Sequence, residues 1–227
     1  YQFPCNNFLF ENGQIHHFFH SLNLFFKDQR TTLKENKVTI EIAQTTHSFF
    51  NCSKNNLTSL FEGPTEVGDF DCSYNQLKNL SYAPKEVKGN FDCSNNLIDS
   101  VKGMPRTVKG YFNCPTNKIA TLKGGPKYVD ATFDCSQNLI DRLTGGPVSV
   151  GQDYLCFKNN LTDLDGVADE IGFDLVSDIR LNHLSSTFNE EEKTWRYKGS
   201  EVISHIYKHI VALTNVDDIS RWHRKHE

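Results

Sequence analysis

The chain has 227 residues, enough to bury a core, and 28 acidic against 24 basic side chains give it a formal charge of −4. That balance excludes a global field drawing the whole molecule to nucleic acid or to an anionic membrane, and no apolar run approaches the ~20 residues of a membrane span. Seven cysteines invite a disulfide framework, but six of them stand at equivalent positions of a repeat, which argues against one.

Residues 1–49 do not share that repeat and read as an N-terminal cap. Ile15, Phe18, Phe19, Leu22, Phe25 and Phe26 fall at helical spacing and put an apolar stripe on one side of a short helix. His16, His17 and His20 lie on its other side. Without an acidic or cysteine ligand beside them they read as a solvated face and not as a zinc site. Val38, Ile40 and Ile42 alternate with polar residues as in a half-buried strand. A helix and a strand are what a repeat array needs over its first edge.

From Phe50 one phrase recurs six times: Phe50-Asn-Cys52, Phe70-Asp-Cys72, Phe91-Asp-Cys93, Phe112-Asn-Cys114, Phe133-Asp-Cys135 and Tyr154-Leu-Cys156. The cysteines are 20, 21, 21, 21 and 21 residues apart. Three residues after each stands an asparagine (Asn55, Asn75, Asn96, Asn117, Asn138, Asn159), and aliphatic residues follow at plus five, plus eight and plus fifteen. Five repeats carry proline at plus twelve, and Ala168 replaces it in the sixth. A fixed period with inward-reading apolar positions predicts a solenoid. Residues two apart share one face of a strand, so Phe and Cys point inward on one short parallel strand per repeat. The asparagine amide has donors and an acceptor for the backbone of adjacent turns. The Gly/Pro segment carries the chain back in extended form. Phe173-Asp174-Leu175 reads as a seventh, degraded strand, so the array runs over 50–181. Buried thiols in register act as small apolar residues and suit a reducing, cytoplasmic setting.

Two rows are expected to face outward beside each cysteine. Before it stand Asn51, Asp71, Asp92, Asn113, Asp134 and Leu155; after it stand Ser53, Ser73, Ser94, Pro115, Ser136 and Phe157. Aspartate is a poor strand former, so strand propensity does not account for the acidic row. Tyr74 and Tyr111 belong at its margins. Basic residues gather on the return side: Lys102 and Lys123 at plus nine, Lys85, Arg106 and Lys127 at plus thirteen, Lys88 and Lys109 at plus sixteen.

Residues 182–227 read as a helical C-terminal cap. Ser200 is placed to cap a helix whose stripe is Val202, Ile203, Ile206, Tyr207, Ile210 and Leu213. A shorter helix follows from Val216 to about Trp222. Glu190, Glu191 and Glu192 form a solvated loop or helix start. His205 and His209 are one turn apart and lack a third metal ligand.

These repeats resemble the leucine-rich repeat, L-x-x-L-x-L-x-x-N-x-L, in the short form found in bacterial effector proteins and bacteriophage-encoded repeats. The resemblance covers just over half the chain and departs from the pattern in using Phe and Cys where leucine is usual. It implies an α/β repeat solenoid: a curved leucine-rich-repeat parallel sheet with extended return segments and helical caps. Some such effectors append a cysteine-dependent ubiquitin ligase domain, but no cysteine follows Cys156 and the 71 remaining residues are too few for one.

No phosphate-cradling glycine loop, nucleophile elbow or zinc-protease helix is present, and serine beside aspartate without a histidine base makes no ordinary nucleophile. The expectation is a non-catalytic protein-binding module without metal or cofactor. Its concave strand face would grip a protein with a basic surface through Asp71, Asp92, Asn113, Asp134, Tyr74, Tyr111, Leu155 and Phe157. The resemblance implies that this partner is a host factor, bound and inhibited in the host cytosol. Two alternatives remain open: nucleic-acid binding by the basic return face, and an enzyme with its site in the C-terminal cap.

Overall fold

The computed structural model describes residues 49–60, 66–181 and 184–213. Each repeat contributes two strands, each of two residues. The Phe-x strands are β1 (Phe50–Asn51), β3 (Phe70–Asp71), β5 (Phe91–Asp92), β7 (Phe112–Asn113), β9 (Phe133–Asp134) and β11 (Tyr154–Leu155). The strands ending in the plus-fifteen residue are β2 (Glu66–Val67), β4 (Glu86–Val87), β6 (Thr107–Val108), β8 (Tyr128–Val129), β10 (Ser149–Val150) and β12 (Glu170–Ile171). The first set stacks in parallel into one sheet and the second set into another, each strand beside its equivalent in the next repeat. The molecule is therefore a β-solenoid of about six coils with two sheets. The return segment was expected to be merely extended; its plus-fifteen Val or Ile instead pairs from coil to coil, as Val87 does with Val67 and Val108.

Between the sheets, identical residues sit on one another because the strands are in register. Phe50, Phe70, Phe91, Phe112, Phe133 and Tyr154 form a ring stack with centroids 5.1 to 5.8 Å apart. The six repeat cysteines form no disulfide with one another and are fully buried. Cys93, Cys114, Cys135 and Cys156 each donate Sγ–H to a backbone carbonyl of the next coil at 3.3 to 3.6 Å. Burial pushes the thiols of Cys72, Cys93, Cys114, Cys135 and Cys156 well up, the last to about 12.

The asparagines bind the coils together. Asn117 donates through Nδ2 to the carbonyls of Cys93 and Cys114, both at 3.1 Å, and its Oδ1 accepts the Ile98 N–H at 3.0 Å. Asn75, Asn96, Asn138 and Asn159 make the equivalent three-way contact. One side chain thereby satisfies buried backbone groups of two coils at once. Just before each asparagine the chain turns through the left-handed region. Lys54, Tyr74, Asn95, Thr116, Gln137 and Lys158 have φ between 52° and 59°. None is glycine, so each bend costs about 1 kcal/mol that the asparagine contacts must offset. At plus eight to plus eleven a β-turn closes, with Gly103, Gly124, Gly145 and Gly166 at φ 80° to 93° in the last four repeats.

The array continues one coil past the last cysteine, in a different frame from the one expected. β13 (Asp174–Ser177) sets Leu175 beside Tyr154 and Val176 beside Leu155, so Ser177 takes the cysteine position. The apolar phrase Phe173-Asp174-Leu175 is offset by two, and Phe173 is exposed.

The segment after it corrects the helical-cap expectation. β14 (Ser186–Asn189) and β15 (Thr194–Lys198) form an antiparallel hairpin, with Glu190–Glu192 in its turn, and β15 pairs with β13 to prolong the first sheet. Aromatic and β-branched residues favour this choice: Phe188 packs on Trp195 at 4.5 Å, and the buried Tyr197 hydroxyl donates to Ile179 O and accepts from Leu181 N. A helix follows, α1 (Gly199–Leu213), packed on β12 and β15 and alone among the described residues. It begins at Gly199, one residue before the expected cap Ser200, where any side chain would collide with Ile171. Residues 1–48, with their expected helix and strand, and the expected helix at 216–222 lie outside the described residues. Among the described residues no helix is long and apolar enough to cross a membrane.

Candidate interaction face of the first sheet

With Phe and Cys turned in, the residues one and three before each cysteine turn out. The inner of these rows is Asn51, Asp71, Asp92, Asn113, Asp134 and Leu155, held side by side by strand register. The outer is Asp69, Asn90, Tyr111, Thr132, Asp153 and Asp174. The expected site residues Asp71, Asp92, Asn113, Asp134 and Tyr111 are thus on one surface.

The aspartates there have a local structural role. Asp71 Oδ1 accepts the Ser73 N–H at 2.9 Å and its hydroxyl at 2.6 Å. Asp92 and Asp134 accept the N–H of Ser94 and Ser136, and Asn51 accepts both groups of Ser53. These are Asx-turns, which end the strand and lead into the left-handed bend. Where Pro115 offers no N–H the partner is Asn113, and where Phe157 replaces serine it is Leu155. The expectation that local preference leaves the acidic row unexplained is therefore corrected. So is the outward placement of Ser53, Ser73, Ser94 and Ser136, which are at most 7% exposed. The outer row also stitches coils: Asp69 Oδ1 accepts the Asn90 N–H, Asn90 Oδ1 that of Tyr111, and Asp153 Oδ1 that of Asp174.

Electrostatically the face has two halves. At its C-terminal end β15 lays Arg196 against Asp174 and Asp153 (3.2 and 3.8 Å) and Lys198 against Asp174 (2.8 Å). Burial opposes ionisation of Asp174, yet hydrogen bonds and charge from Lys198 and Arg196 hold its carboxyl below the usual range. In the other half Asp69, Asp71, Asp92 and Asp134 have no ion-pair partner among the described residues. Burial raises the Asp134 carboxyl; hydrogen bonds from Ser136 oppose this, and the charges of Asp92 and Glu192 add to it. Tyr111 lies among these groups, its hydroxyl pushed up by burial and then by Asp92, Asp71 and Asp69.

The other expected contacts are less united. Tyr74 stands on the left-handed bend, 55% exposed, with the Lys54 ammonium 5.4 Å from its ring centre. Leu155 is half-buried beside Val176. Phe157 is buried, which corrects its assignment as an outward anchor, because the chain continues past it into another coil. Asp69, Asn90 and Asp153 are not among the expected site residues, although counting back two from the inner row finds them, and Asp174 joins them only through the shifted frame of β13. Among the described residues no group of three or more His, Cys, Asp or Glu is placed to hold a metal ion. Comparison of the chain with family models, curated proteins and solved structures finds no match.

Proposed function

We propose that the chain is a non-catalytic binding module that takes a basic protein partner on the outward face of its first sheet. One observation carries this reading: Asp69, Asp71 and Asp92, whose charges reach Tyr111, and Asp134 beside them on the face have no ion-pair partner among the described residues, while the same face binds Arg196 and Lys198 at its far end. A partner lysine or arginine would relieve the crowding of like charges and gain charge-assisted hydrogen bonds. Tyr111 offers a half-exposed ring of the kind that anchors interfaces. The leucine-rich-repeat resemblance, with its bacterial-effector and bacteriophage members, extends the proposal to a host factor inhibited in the host cytosol.

The test must spare the Asx-turns. Lysine cannot accept the serine N–H, so charge reversal would disturb the coil as well as the surface. Asp71→Asn, Asp92→Asn and Asp134→Asn together keep an acceptor, as Asn51 does, and remove three charges. Affinity capture from candidate host lysates, scored by mass spectrometry, should yield a protein that the triple variant and Tyr111→Ala each lose by about tenfold or more. Equal capture by the folded triple variant would rule this face out.

A further inference from the structure

The opposite edge of the coil carries a second charged surface. At plus nine and plus thirteen, repeats three and four place Lys102 and Arg106, then Lys123 and Lys127, on either side of the β-turn. Each turn lies against its neighbour. A side chain at Gly124 would touch Lys102, and one at Gly145 would touch Lys123. Lys127 Nζ reaches the Gly145 and Gly146 carbonyls at 3.2 and 3.1 Å, as Lys85 reaches Gly103 at 2.8 Å. Cations therefore flank a ridge of turns in which glycine leaves the backbone bare.

Lys102, Arg106 and Lys123 are exposed and have no ion pair among the described residues. Beside them on the second sheet, Tyr128 is 45% exposed. The strip has an end: the same two positions are Thr144 and Val148 in repeat five, then Asp165 and Asp169 in repeat six.

We infer that this strip docks single-stranded nucleic acid. The phosphate backbone runs along the solenoid over the bare turns, contacting Lys123 and, on the neighbouring coil ~4.8 Å away, Lys102 and Arg106. One base stacks on Tyr128. A duplex would keep its bases from that ring, which is why the single strand fits. This surface is separate from the acidic face and does not depend on the proposal made for it.

The full chain is titrated into a fluorescein-labelled single-stranded RNA of mixed sequence, and anisotropy is followed. Three phosphate contacts give a log–log salt slope near −2, so raising salt from about 50 to about 200 mM should weaken binding about twentyfold. Replacing Lys102, Arg106 and Lys123 with Gln should flatten that slope and cost at least tenfold in affinity. Tyr128→Ala should cost about tenfold with the slope unchanged. The triple Asp→Asn variant of the acidic face should bind RNA like the parent. If the Gln variant does not fold, acetylation of the parent decides: bound RNA should protect Lys102 and Lys123. Absent binding at the lower salt, unaltered affinity in the Gln variant, or no protection overturns the inference. So does binding indifferent to Tyr128→Ala and matched by anionic vesicles, which would mean charge attraction alone.

Discussion

Tyr154 ends a stack in which the five other rings are phenylalanine, and its hydroxyl is buried without a hydrogen-bond partner. Removing an orphaned buried hydroxyl from a pocket shaped for a phenyl ring relieves its desolvation. Tyr154→Phe should therefore stabilise the fold by about 1 kcal/mol, measured as a higher urea midpoint at unchanged slope. Asp134 is strained in another way. Its folded-state carboxyl is raised above the ordinary value, so the folded chain binds the proton more tightly than the unfolded chain, and this contribution to stability declines as pH rises through the raised value. Asp134→Asn keeps the acceptor for Ser136 and removes the charge. Its melting temperature should exceed the parent's at pH 7, and the gap should close as the pH falls below the carboxylate range. Sequence reasoning located Asp134 on the surface but missed why it is there, because strand propensity was weighed for a strand only two residues long. The deciding partner is the serine two residues on.

Among elements, the asparagine ladder was legible: one amide at plus three of every repeat has few uses other than joining turns. Asn117→Ala would leave the N–H of Ile98 without its acceptor and take from the carbonyls of Cys93 and Cys114 one of the two amide donors each has, the other coming from Asn96 and Asn138. We expect a loss of about 2 kcal/mol in urea unfolding. Asn55→Ala should cost less, because Oδ1 of Asn55 is buried and already unpartnered. The second sheet was not legible, since each of its strands shows a single inward residue and two-residue strands have no period to detect. The hairpin at 186–198 was hidden by the glutamates of its own turn and by the helical stripe that follows. Tyr197 marks it best: its ring is enclosed and its hydroxyl spans Ile179 and Leu181, contacts that no spacing rule announces.

For the molecule as a whole, the solenoid follows from register alone, and the cysteines report on its integrity. Burial disfavours their thiolates, the reactive form. Cys52, Cys72, Cys93, Cys114, Cys135 and Cys156 should resist a thiol reagent in the native protein, and all six should react once urea unfolds it. Rapid labelling of most of them under native conditions would contradict the inward ladder. The ladders also govern how the chain reaches this state. Asparagine bonds between neighbouring coils join residues 18 to 24 apart in sequence, whichever coil they belong to. Closing a loop costs entropy that grows with its length, and here that length stays the same from one coil to the next. Once two neighbouring coils have met, each further coil docks on a finished template at the same entropic cost, and folding spreads outward from any such pair as a zipper closes.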